Sequence, residues 1–121
     1  MTGREGEKIA AEFLLKKGYR ILERNFRTRF GEIDIIAQDG KMLVFVEVKA
    51  RSSDQFGAPQ LAVNTKKQVK MSRVALAYMS QKKMDACECR FDVVGIRAQM
   101  GAPRIEHFRD AFEALETGTG C

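Results

Sequence analysis

Lys41–Arg51, KMLVFVEVKAR, is the stretch whose reading decides the fold of this chain. Side chains alternate along extended backbone, so Met42, Val44, Val46, Val48 and Ala50 share one face. Leu43, Phe45, Glu47, Lys49 and Arg51 share the other. The first face is core. The second starts apolar and ends in a carboxylate, an ammonium and a guanidinium, the pattern of a strand that runs from the interior to a working edge. An isolated buried charge is costly, so Glu47 and Lys49 require partners, solvent or a ligand.

Just upstream, Gly31–Gly40, GEIDIIAQDG, reads as the preceding strand, with Ile33, Ile35 and Ala37 on one face and Glu32, Asp34 and Ile36 on the other. Gln38-Asp39-Gly40-Lys41 supplies a tight turn with Asp-Gly at its centre, a strong hairpin signal. Antiparallel pairing of the two strands brings Asp34 to Glu47, with Lys49 close by. Two carboxylates so placed suit a hard divalent cation, Mg²⁺ or Mn²⁺, which polarises a phosphoryl oxygen and activates water. A lysine beside them orients the nucleophile or stabilises charge developing on phosphate.

Outward from this hairpin the pattern gives a consistent order. Gly3 to Lys17 is helical and stops at Gly18; Tyr19 to Arg27 is a strand in which Ile21, Glu23 and Asn25 alternate against Leu22, Arg24 and Phe26. The hairpin strands cover 31–37 and 42–51. Ser52 to Val63, with Gly57-Ala58-Pro59, is a loop, and Gly31 is turn geometry. Asn64 to Lys83 is a second helix, Glu88–Ala98 a strand with Phe91, Val93 and Val94 inside, and Arg104 to Phe108 a last edge strand. The fold class is α/β: an αβββαβ core, a mixed sheet flanked by helices. Residues 1–112 form one domain and 113–121 a flexible tail.

The first helix offers a third carboxylate. On a helical wheel Glu7 falls within the apolar arc of Ile9, Ala10, Ala11, Phe13, Leu14 and Leu15, whereas Glu5 and Glu12 fall on the polar side. A glutamate there also suits the positive end of the helix dipole.

The second helix carries six Lys or Arg and no Asp or Glu. As a packed helix it would turn Val69, Leu76 and Met79 to the core and leave a solvated basic face. As a functional surface it would set Lys66, Lys67, Lys70 and Arg73 against phosphate. Arg20, Arg24, Arg27, Arg29, Lys49 and Arg51 add positive charge near the acidic pair, within a formal net charge of +5, so an electrostatic footprint for nucleic acid is reasonable. No motif reads base sequence. Arg51 suits either a phosphate clamp or a salt bridge to Glu32 or Glu47.

At 121 residues, 45% hydrophobic and 31% charged, the chain fits one globular core. It has no apolar run of the ~20 residues a membrane span needs and no signal-peptide core, which implies a cytoplasmic protein with no membrane partner. Cys87, Cys89 and Cys121 are odd in number and read as free thiols; with His107 they have poor spacing for zinc. Asp92, within a core strand, reads as a structural hydrogen-bond acceptor, and His107 lies outside the candidate chemistry.

The pattern Asp34…Glu47-Val48-Lys49 on a hairpin after an N-terminal helix resembles the signature of the restriction-endonuclease-like nuclease superfamily. Gly6-Glu7, Gly18-Tyr19, Asn25, Gly31-Glu32-Ile33-Asp34, Val44–Arg51, Gly57-Ala58-Pro59, Lys67 and Arg90-Phe91-Asp92 follow one another as in the YraN-like family of small bacterial proteins, a family similar to archaeal Holliday-junction resolvases. The resemblance runs from about Gly3 to Ile96. It implies a restriction-endonuclease-like fold, with Asp34, Glu47 and the Val48 backbone carbonyl holding the metal, Lys49 positioning water, and Glu7 in the catalytic set. It implies a metal-dependent endonuclease acting on DNA, branched or junction DNA included; junction resolution would further require a two-fold homodimer. The alternative is a noncatalytic nucleic-acid-binding adaptor that keeps the fold, since fold does not dictate function. A structural interaction domain that binds no nucleic acid is a third reading.

Overall fold

A computed structural model describes residues 2–51, 63–98 and 101–114. Helix α1, Gly3–Lys16, opens on Thr2, whose hydroxyl accepts the Glu5 amide at 3.1 Å. It ends in a Schellman motif: Gly18 takes φ +94°, its N–H bonds Leu15 O, and the Tyr19 N–H reaches back to Leu14 O. Strands β1, Arg20–Thr28, β2, Gly31–Asp39, and β3, Met42–Arg51, follow, then helix α2, Thr65–Gln81, and strands β4, Cys89–Arg97, and β5, Arg104–Phe112. The αβββαβ core is present, and the last strand runs four residues past its expected end. The Ser52–Val63 loop, apart from Val63, and all but two residues of the proposed tail lie outside the described residues.

The five strands stand in sequence order, and β3 and β4 alone among the described pairs are parallel. A parallel neighbour demands a crossover, which α2 supplies. One sheet face carries α1, with Ala10, Leu14 and Tyr19 against Ile35, Val44, Val46 and Val94. The other carries α2, with Met71, Val74 and Tyr78 against Ile36, Phe45 and Phe91. The alternation of β3 holds: Val44 and Val46 lie under α1, Leu43 and Phe45 under α2.

Several sequence expectations need correction. The hairpin turn centres on Gly40-Lys41, because Asp39 still pairs with Met42, and Gly40 takes φ +62° at the first central position. Ile33 packs beneath α2 with Ile36, not with Ile35 and Ala37. In β1 a register shift between Ile21 and Glu23 turns Ile21 to the α1 side, while Leu22 joins the α2 core and Glu23 reaches Lys82 at 4.0 Å. On α1, Leu15 is 55% exposed. On α2, Val69 and Leu76 are half-buried and belong to neither core cluster; the buried stripe is Met71, Val74, Ala75, Tyr78 and Met79. Cys87 is a free thiol, but Cys89 is disulfide-bonded.

Asp92, fully buried in β4, accepts from Arg90 Nε at 3.0 Å, from His107 Nε2 at 2.7 Å and from the Asp110 amide at 2.9 Å. Arg90 also donates to Tyr19 Oη and Asp39. Asp92 therefore pins β5 to the sheet, and His107 serves that network rather than the acidic pair.

Candidate active site

The β2–β3 ladder runs from Asp39↔Met42 to Ile35↔Val46, and beyond it the backbone pairing gives way to a side chain. The Val48 N–H donates to Asp34 Oδ2 at 2.8 Å, so a carboxylate takes the place of a ladder carbonyl. The N–H and C=O of one strand residue leave on the same edge, so the Val48 carbonyl also faces β2, on the Asp34 side.

Glu47 is the next residue back along β3, its side chain 4% exposed. Its Oε2 lies 3.3 Å from Lys49 Nζ and 2.9 Å from Lys67 Nζ. Lys67 comes from the first turn of α2. There Asn64 caps the helix by accepting the Lys67 amide at 2.9 Å, which sets the start of α2 beside the end of β3. Burial raises the Asp34 carboxyl to about 7, together with the charge of Glu47, a hydrogen bond shared with Glu47, and the charge of Glu7; the Val48 amide acts against the rise. Burial opposes the charge on Lys67, but the hydrogen bond and charge of Glu47, helped by Asp34 and Glu32, outweigh it and raise its pKa.

Glu7, half-buried on α1, accepts a 2.6 Å hydrogen bond from Asn25 Nδ2 in β1. Asn25 takes φ +53° in mid-strand. The structure thus brings Glu7, Asp34, Glu47, Lys49 and Lys67 to one end of the sheet. Lys66, Lys70 and Arg73 stay exposed on α2, outside this cluster. Arg51 ends β3; Glu32 pairs with Arg27 at 3.4 Å, and Glu47 with the two lysines. Sequence reasoning assigned no role to Asn25. Its signal was an asparagine inside a strand, a residue that strands disfavour and the left-handed conformation tolerates.

Among the described residues no three His, Cys, Asp or Glu side chains gather as a cage for a metal ion. The donor set at hand is two carboxylates and a carbonyl. All are oxygens, and they fit Mg²⁺ or Mn²⁺, since Mg²⁺ commonly uses one or two carboxylates and completes its shell with water and substrate phosphate.

The fold and this cluster define an α/β protein with a paired-carboxylate, paired-lysine site at one end of a mixed sheet. The chain belongs to uncharacterised protein family UPF0102, whose family model matches residues 6–96. A UPF0102 protein of Syntrophus aciditrophicus is 54% identical over 112 residues, spanning 93% of this chain and 88% of that one. A UPF0102 protein of Geobacter metallireducens is 52% identical over 112 residues, spanning 92% and 91%. Among solved structures, Pyrococcus furiosus SfsA in complex with Ca²⁺ is similar at a TM-score of 0.37 and 17% identity, covering 88% of this chain and 62% of that one. Among the described residues no helix is long and apolar enough to cross a membrane.

Proposed function

We propose that this protein is a metal-dependent endonuclease that hydrolyses phosphodiester bonds in DNA, branched DNA included. The observation that carries this reading is Asp34, held by the Val48 amide at 2.8 Å, beside buried Glu47, whose carboxylate gathers Lys49 and Lys67 at 3.3 and 2.9 Å. A surface that merely binds phosphate has no use for two carboxylates pressed together where phosphate must come, because they repel it.

Asp34, Glu47 and the Val48 carbonyl would hold Mg²⁺ or Mn²⁺, which when bound supplies Lewis-acid polarisation of the phosphoryl oxygen and a lowered pKa for water. Lys49 positions the attacking water. Lys67, at the same Glu47 oxygen, stabilises charge that develops on the phosphate. Glu7 holds water at the edge of the site. Lys66, Lys70, Arg73 and Arg51 contact the phosphate backbone, which gives affinity without sequence preference.

The test is cleavage with Mg²⁺ or Mn²⁺ of single-stranded, duplex, flapped and four-way-junction DNA and of RNA, by wild type, Asp34→Asn and Lys49→Ala. Cleavage that both substitutions abolish supports the nuclease and identifies its substrate. Salt-sensitive binding without cleavage, unaffected by metal or by either substitution, replaces it with a noncatalytic nucleic-acid-binding adaptor.

A further inference from the structure

Strand β1 changes face at Asn25. Arg24, on one side of it, lines a cavity with Thr2, Arg4, Glu5 and Lys8 of the α1 end, so it lies on the α1 face. Phe26, on the other side, packs edge-on against Tyr78 of α2 with centroids 5.1 Å apart. In a regular strand, residues two apart share a face. Here they do not, and the left-handed backbone at Asn25 is what breaks the rule: the asparagine side chain goes to α1 and the next residue to α2.

The partner strand makes the same change one rung across. Arg24 pairs with Ile35 and Phe26 with Ile33, which places Asn25 opposite Asp34. Ile35 belongs to the α1 core and Ile33 to the α2 core. The two strands therefore kink together. On β2 the kink sends the Asp34 carboxylate to Val48; on β1 it sends the Asn25 amide to Glu7.

A non-glycine residue in the left-handed region in mid-strand carries strain, which persists only where its surroundings enforce it. The side-chain amide of this strained residue donates to Glu7, whose charge acts on Asp34. We infer that Asn25 is a positioning residue: its amide holds one oxygen of Glu7 and fixes that carboxylate at the edge of the Asp34–Glu47 site. This inference rests on the nuclease reading and deepens it.

Asn25→Gly keeps the left-handed backbone at no steric cost and removes the amide; Asn25→Asp keeps the shape and sets a second carboxylate against Glu7. The measurements are Mn²⁺ binding by titration calorimetry, the thermal midpoint, and cleavage at saturating Mn²⁺, each with Glu7→Gln alongside. If Asn25 positions Glu7, Asn25→Gly keeps a near-native midpoint yet loses about tenfold or more in Mn²⁺ affinity, as removal of a ligand-orienting group does. Asn25→Asp loses more, and in a Glu7→Gln background neither Asn25 substitution costs much further affinity. If Asn25→Gly binds Mn²⁺ as wild type does, or weakens only in step with a lowered midpoint, Asn25 is a backbone device and the inference fails while the nuclease reading stands. Wild type that neither binds Mn²⁺ nor cleaves any substrate overturns both.

Discussion

Lys67 Nζ stands 2.9 Å from Glu47 Oε2 and joins the first turn of α2 to the end of β3. The lysine is 40% exposed and Glu47 4%, and Lys49 offers the same oxygen a second ammonium at 3.3 Å. Replacing Lys67 by Met leaves Glu47 with a longer, single partner. The expected stability loss is ~1 kcal/mol, well below that of a fully buried broken pair, and urea unfolding measures it. Cleavage should fall by about tenfold or more if Lys67 stabilises phosphate charge. Unchanged cleavage with lowered stability would reduce Lys67 to a structural tether.

Asp34→Asn separates stability from chemistry. The Asn side-chain oxygen can still accept the Val48 amide, and its NH₂ adds a donor beside Glu47 where Asp34 adds a second acid. In wild type the folded Asp34 retains its proton up to about 7, against an ordinary 3.8, so folding takes up a proton between those values. Stability falls as pH rises through that window, and the full penalty stands above it. Lys49 and Lys67, facing Glu47, and Glu7, facing Asp34, set the surrounding charge. With EDTA present at pH 8, Asp34→Asn should be more stable than wild type by about 1–3 kcal/mol, the two converging near pH 4. Cleavage should be abolished throughout.

Most of this arrangement was legible because β3 obeys its period. Leu43, Phe45 and Glu47 follow one another on one face, and the sequence turns from apolar to charged where the sheet ends. Gly18 announced the end of α1 by cap chemistry that depends on neighbours in sequence alone. The pattern broke down where backbone geometry departs from its period. The Ile21/Glu23 register shift and the turn at Asn25 change face assignments along β1, and the same change on β2 detaches Ile33 from Ile35. Periodicity also misjudged α2. Thr65 to Gln81 has apolar residues on more than one side, and only tertiary packing selects Met71, Val74, Ala75 and Tyr78 over Val69 and Leu76.

Acid sensitivity should arise at Asp92 rather than at the acidic pair. Burial works to raise its carboxyl, but hydrogen bonds from His107, Arg90 and the Asp110 amide, with the Arg90 charge, win and hold it below 3.8. A carboxylate depressed in the folded state contributes stability in full above the ordinary value and loses it as pH falls through the folded one. Asp92→Asn removes that acid-side slope and leaves Arg90, whose side chain is 9% exposed, without its nearest carboxylate. The expected cost at pH 7 is ~2–4 kcal/mol. Urea unfolding from pH 2 to pH 7 on both proteins checks the slope and the offset together.

The basic face of α2 can be tested apart from the chemistry. Lys66, Lys70 and Arg73 are exposed, and Arg73 extends its guanidinium 5.9 Å from the Phe30 ring, beside Arg29 at 5.0 Å. Lys70 stands over the start of β2: a Cβ added to Gly31, which takes φ +147°, would lie 3.7 Å from the Lys70 Cβ. The helix is thus fixed against the hairpin while its charges face outward. If the three contact phosphate, changing all of them to Ala should reduce the slope of log K against log salt for duplex DNA by about 2–3, since each neutralised phosphate contributes roughly 0.9. Cleavage at saturating DNA should change by less than about threefold, because none of the three reaches the carboxylate pair. A variant that retains the wild-type salt slope would show that DNA runs along another face, and the Arg20, Arg24, Arg27 and Arg29 side chains of the β1 edge and its turn would be the next to replace.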